Sequence, residues 1–137
     1  MLRGKLLHPE ILDALGRAGH GTKVLIADGN YPFETGAHPR ARRVFLNLSP
    51  GIVSVPDVLG VLADAIPLEA ASVMVPPDTE PPIFDEFRRM LPANMPLAPL
   101  ERFAFYAAAR GDDVGLVIAT GEERTYANIL LTIGVVG

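Results

Sequence analysis

HPEILDALGRAGHGTKVLIADGNYP, residues 8–32, sets two different periodicities back to back. Ile11, Leu12, Leu15 and Ala18 recur at helical spacing, Pro9 falls in the first turn and Gly19 follows as a stop, so a helix is expected from about residue 9 to 18. KVLIA (23–27) is then an unbroken apolar run between turn residues, the pattern of a short strand covered on both faces. DGNYPFETGAHPRA (28–41) is loop by composition, and loops after the central strands of open α/β sheets are favoured ligand positions.

The rest of the chain continues the alternation. RRVFLNLS (42–49) reads as a second strand, and SVPD (54–57) has the form of a capping box opening a helix that buries Val58, Leu59, Leu62 and Ile66. ASVMV (71–75) reads as a strand, PPDTEPP (76–82) as a rigid connector, and IFDEFRRML as a helix with Ile83, Phe84, Phe87 and Leu91 inward. PANMPLAP (92–99) reads as loop, and a helix is expected over LERFAFYAAAR with Leu100, Phe103, Ala104 and Ala107 inward. VGLVIA (114–119) and NILLTIGVV (128–136) are β-rich runs joined by TGEERTYA, either in the parallel sheet or as an antiparallel edge. The expectation is an α/β fold: residues 1–137 as a single layered domain with helices packed on a mostly parallel sheet.

Composition narrows the function. The 137 residues are 49% hydrophobic, enough for one real core, and the net charge of −4 leaves no electrostatic footprint for nucleic acid; RARR (40–43) is too short to supply one. No apolar run is long enough to cross a bilayer and the N-terminus lacks the apolar stretch of a signal peptide, so no membrane association is expected. Cysteine is absent, which removes thiolate chemistry and fits a reducing, cytoplasmic compartment. The three histidines show no metal-binding spacing, so neither a metal nor a cofactor is expected.

Four places carry candidate chemistry. His20 stands between Gly19 and Gly21, whose missing side chains leave the imidazole open to a ligand; it reads as a general acid/base or, alternatively, as a cation at a helix C-terminus. Asp28 ends the KVLIA run and shares its loop with Asn30 and Tyr31, groups suited to hydroxyls; the alternative is a turn aspartate bonding its own backbone. Arg102 lies among aromatics on its helix, as a ligand contact or a solvated arginine. Tyr126 and Asn128 in TYAN, two residues apart, point the same way at a strand start and can meet one polyhydroxylated ligand or simply decorate an edge. Eight residues of extended chain cover up to about 26 Å, so His20 and Asp28 share a pocket only through a sharp bend or a second subunit.

These places together resemble the family of D-ribose pyranases and L-fucose mutarotases, the RbsD/FucU family, over nearly the whole chain. Residues 8–32 resemble its opening helix, His-Gly motif and strand ending in Ala-Asp-x-Asn-x-Pro; ERFAFYAAAR looks like the fucose branch, and TGEERTYANILLTIGVV like the family's closing Thr-Gly-Glu…Tyr-x-Asn-Ile strand. The resemblance implies an RbsD-like fold and a monosaccharide mutarotase, interconverting anomers or ring forms of a fucose-like or ribose-like reducing sugar by acid–base ring opening. It assigns the proton-donating role to His20 and sugar binding to Asp28, Arg102, Tyr126, Ala127 and Asn128, and it implies a homo-oligomer with sites at subunit contacts. The chain departs from the family at Thr22, where the pattern has an aspartate, and at Phe45, where the ribose branch has an acid. Those departures motivate the alternative, a non-catalytic sugar-binding or regulatory module of the same fold.

Overall fold

A computed structural model describes residues 1–137. Six strands, β1 (Lys23–Ala27), β2 (Arg42–Phe45), β3 (Leu68–Met74), β4 (Leu97–Leu100), β5 (Val114–Ala119) and β6 (Ile129–Ile133), form one sheet in the order β2-β5-β1-β6-β3-β4. The pairs β2·β5, β5·β1 and β3·β4 are parallel, whereas β6 runs antiparallel to both β1 and β3. Only β6 opposes the common direction, so the sheet is mostly parallel.

Alternation along the central strands divides the core. Val24 and Ile26 of β1, Leu116 and Ile118 of β5, and Ile129, Leu131 and Ile133 of β6 point to one face. There they pack with the inner residues of α1 (Pro9–Arg17), α2 (Val55–Ala65) and α3 (Ile83–Met90). Leu25, Ala27, Val117 and Leu130 point to the other face, covered by α4 (Arg102–Ala109) and by the loop after β1. No helix is long and apolar enough to cross a membrane.

Local chemistry sets the helix starts. The Ser54 hydroxyl accepts from the Asp57 N–H at 3.2 Å and the Asp57 carboxylate accepts from the Ser54 N–H at 3.1 Å, the capping box that the sequence announces. Arg43 orders the loop after β1: its guanidinium donates to the carbonyls of Phe33, Glu34, Ala37, His38 and Ala41. One member of the short basic cluster is therefore an internal scaffold.

Three expectations are corrected. Leu97–Leu100 is strand β4, in place of a loop through Pro99 and a helix including Leu100; Pro99 is tolerated because β4 lies at the sheet edge, where a missing N–H costs no ladder bond. The last helix starts at Arg102, because the Glu101 carboxylate caps the N–H groups of Phe103 and Ala104. Its buried residues are Phe105 and Ala109, while Phe103 is 70% exposed. The antiparallel alternative for the two terminal strands fails as a hairpin at the edge: β6 is antiparallel but central, because Ile129, Leu130 and Leu131 are apolar and buried on both faces.

Phe105→Ala should cost about 3–5 kcal/mol by opening a cavity under α4, and Ser54→Ala about 1 kcal/mol through the lost cap. Urea unfolding at matched chain concentration reads both; a smaller loss for Phe105→Ala than for Ser54→Ala would contradict this packing.

Candidate functional site

The connection between β5 and β6 builds the site. Since β1 lies between those strands, residues 120–128 must pass over the C-terminal end of β1, where Asp28 emerges. Asp28 is 3% exposed and meets this strap directly. Its Oδ2 accepts from the Ala127 N–H at 3.2 Å and from Asn128 Nδ2 at 3.1 Å, and its Oδ1 accepts from the Asn30 N–H at 3.0 Å. In return the Asp28 N–H donates to Asn128 Oδ1 at 2.7 Å. This reciprocal pair fixes the carboxamide of Asn128, with one Nδ2 hydrogen still free. A carboxylate offers about four acceptor positions, so Asp28 keeps spare capacity on Oδ1.

Tyr126 adopts φ 57°, the left-handed region that residues with side chains enter only under tertiary constraint. Beside it opens a cavity of about 340 Å³, lined by Asp28, Asn30, Tyr126 and Asn128 from the sheet end, and by Met74, Arg102 and Tyr106 from β3 and α4. A volume above about 300 Å³ suits a small-molecule ligand. The Arg102 guanidinium packs over the rings of Phe103 and Tyr106, 5.6 and 5.8 Å from their centroids. The chain therefore brings Asp28, Arg102, Tyr126 and Asn128 together around one polar hollow. Ala127 is fully buried and its N–H is spent on Asp28. Tyr31 also borders the hollow, but its hydroxyl donates to the Gly36 carbonyl at 2.6 Å, and burial pushes that phenol well above its usual range.

His20 lies elsewhere. It precedes β1, at the opposite end from Asp28, and lines a separate cleft of about 560 Å³ with Arg17, Arg40, Arg42, Asp112 and Asp113. The five residues of β1, Lys23–Ala27, at about 3.3 Å each separate the two by roughly 16 Å. Gly21 takes φ 86°, and the Gly19 N–H donates to the Thr22 hydroxyl at 3.3 Å, closing the turn that presents the imidazole. The ring is 58% exposed and its Nε2 sits 2.9 Å from Glu69 Oε2 on β3. A carboxylate thus reaches the histidine from another strand, where Thr22 offers none.

Sequence reading missed Glu69, Tyr106 and Met74. Tyr106 stands one helical turn after Arg102, so i, i+4 spacing carried a usable signal. Glu69 and Met74 had none, since only sheet pairing brings β3 beside β6.

The model of the RbsD / FucU transport protein family matches residues 1–136. The fucose mutarotase of Danio rerio is 33% identical, covering 96% of this chain and 90% of that protein. The D-ribose pyranase of Variovorax paradoxus is also 33% identical, covering 98% of each. The crystal structure of the Streptococcus pneumoniae fucose mutarotase in complex with L-fucose superposes with a TM-score of 0.84 at 28% identity, over 100% of both chains.

Burial raises the Asp28 carboxyl above its ordinary value of 3.8, against the opposing pull of the Asn30, Ala127 and Asn128 donors. The folded chain then holds this proton more tightly than the unfolded chain; Asp28 opposes stability at neutral pH, and the penalty is relieved as pH falls through the raised value. A carbon-detected NMR titration should place its midpoint above 3.8; a midpoint at or below that value would exclude desolvation as the dominant influence.

Proposed function

We propose that this chain, which belongs to the RbsD/FucU family, is a monosaccharide mutarotase: an isomerase that interconverts anomers or ring forms of a fucose-like or ribose-like sugar. The observation carrying this reading is the convergence of Asp28, Arg102, Tyr126 and Asn128 on one cavity of monosaccharide size. Asp28 and Asn128 accept and donate to sugar hydroxyls with the capacity their mutual pairing leaves free. Arg102 anchors the substrate at the mouth, Ala127 fixes the floor through its N–H, and Tyr126 shapes the site and assists proton transfer.

The reaction needs only proton movement. Imidazolium His20 delivers a proton to the ring oxygen as the bond from C1 to that oxygen breaks, and the proton of the anomeric hydroxyl passes to a water molecule, giving the open aldehyde and neutral His20. Rotation about C1–C2 turns the carbonyl over, and the reverse transfers close the ring on its other face. Glu69 orients the imidazole through Nε2, leaving Nδ1 toward the substrate. Such acid–base assistance is worth about 10²- to 10⁴-fold, sufficient for a reaction that already runs slowly in water.

His20 acts in trans. Two copies of the chain pack so that His20 of the partner subunit enters the cavity formed by Asp28, Arg102, Tyr126 and Asn128, which makes the working enzyme a homo-oligomer with sites at subunit contacts. The length of β1 supports this arrangement, since it keeps the two halves of the machinery apart within one chain. The cysteine-free composition fits a cytoplasmic setting.

NMR saturation transfer between sugar anomers tests both claims. His20→Ala should slow exchange by about 10²- to 10⁴-fold, and Glu69→Gln by less. Mixing His20→Ala with Asp28→Ala chains after dissociation and reassembly should restore activity that neither has alone. Exchange equal to wild type in His20→Ala would remove the histidine from the mechanism, and no recovery on mixing would return the site to a single chain.

A further inference from the structure

We propose that Glu122 and Arg124 are positioning residues for the sugar site, holding the strap over β1 so that Tyr126 keeps its left-handed backbone at the cavity wall; the inference rests on reading that cavity as the sugar site. The strap has no regular structure to stiffen it. Its beginning is fastened by backbone and hydroxyl bonds: Thr120 Oγ1 donates to the Ala27 carbonyl at 2.7 Å, the Gly121 N–H to Val53 O at 3.0 Å, and the Gly29 N–H to Glu122 O at 2.9 Å. Its end is fastened by Asp28 through Ala127 and Asn128. Between these anchors lie Glu123, Arg124, Thr125 and Tyr126, and the last two line the cavity.

Arg124 supplies the tether for this span. Its N–H and Nε donate to Glu122 Oε2 at 3.1 and 3.0 Å, its Nη2 donates to Glu122 Oε1 at 2.9 Å, and its Nη1 bonds Glu86 on α3. Glu122 is only 4% exposed and also accepts from the N–H of Val55, the first residue of α2, where the helix dipole favours an anion. Burial opposes ionisation of Glu122, but the bonds from Arg124 outweigh it and hold the carboxyl below its usual range, so both partners are charged at neutral pH. A buried carboxylate thereby links α2, and through Arg124 α3, to a point two residues before Tyr126. A strained backbone persists only where its surroundings over-determine it. Asp28 constrains Tyr126 from one side and Arg124 from the other.

Arg124→Lys is the informative variant, because it preserves the charge beside buried Glu122 while losing the planar fork that engages both glutamates. Its sugar KM should rise roughly tenfold or more, as expected for a misplaced binding group, kcat should fall as Tyr126 is drawn away from the transferred proton, and the circular dichroism spectrum should stay intact. The backbone 13C shifts of Tyr126 should leave their left-handed pattern and those of Ala127 should move with them, while those of Lys23 and Thr132 stay put. Glu122→Gln should move the same two residues in the same sense, and it decides the matter should Arg124→Lys fail to fold. Unchanged Tyr126 shifts, or a loss of thermal stability with KM unaltered, would overturn the proposal. The NMR result stands without turnover, so a wild-type protein inactive on every sugar would refute the mutarotase reading while leaving this inference to the chemical shifts.

Discussion

A carboxylate almost sealed from solvent organises one edge of this sheet. Asp28 ends the central strand β1 and accepts from three donors, two of them a hundred residues away on the strap that leads into β6. A buried carboxylate without donors would be costly, and buried N–H groups without acceptors nearly as much. The pairing satisfies both at once and locks the start of β6 against the end of β1. The same contacts that hold the two strands in register therefore fix the Asn128 carboxamide and place Tyr126 at the rim of a polar hollow.

Topology explains why the hollow is there. β5 and β1 run parallel and end together, β6 returns antiparallel on the far side of β1, and the chain between them has to bridge the strand ends. That bridge forms one wall, while Met74 at the end of β3 and Arg102 and Tyr106 on α4 form another. Polar groups thus arrive from three segments distant in sequence. Asp28, Asn30 and Asn128 are joined by hydrogen bonds, and Arg102 packs over two rings.

The paired His20 and Glu69 occupy the opposite end of the same strand. His20 and Glu69 meet because β3 and β6 pair closely enough to bring residue 69 beside the turn before β1. The exposed glycine-flanked turn leaves the imidazole reachable by another molecule, and a stiff central strand keeps it from folding back onto its own cavity. In the proposed mechanism, apposition of two copies joins the halves. On that proposal, a proton carrier and a binding site on separate rigid ends gain their relative geometry from the subunit contact, so assembly and catalysis become one requirement.

Much of this was legible in order along the chain. Apolar runs gave β1 and β5 to the residue, the Ser54 capping box gave the start of α2, and the arrangement of His20, Asp28 and TYAN pointed to sugar-handling chemistry. Glu101 as a cap, Pro99 in an edge strand and the buried face of α4 were misread, because a cap or an edge is defined by neighbours that no local window contains. Arg43 looked like part of a surface basic cluster, yet its guanidinium is consumed by loop carbonyls. The sequence by itself determined the class of fold and most of the polar groups of the site, since periodicity and turn chemistry are local properties. Only the tertiary structure decided that β6 lies antiparallel in the centre, that Glu69 partners His20, and that Asp28 faces Asn128 while His20 does not. Those outcomes depend on pairing between distant strands, which minimises unsatisfied backbone and buried charge over the whole sheet and so has no signature in any single stretch.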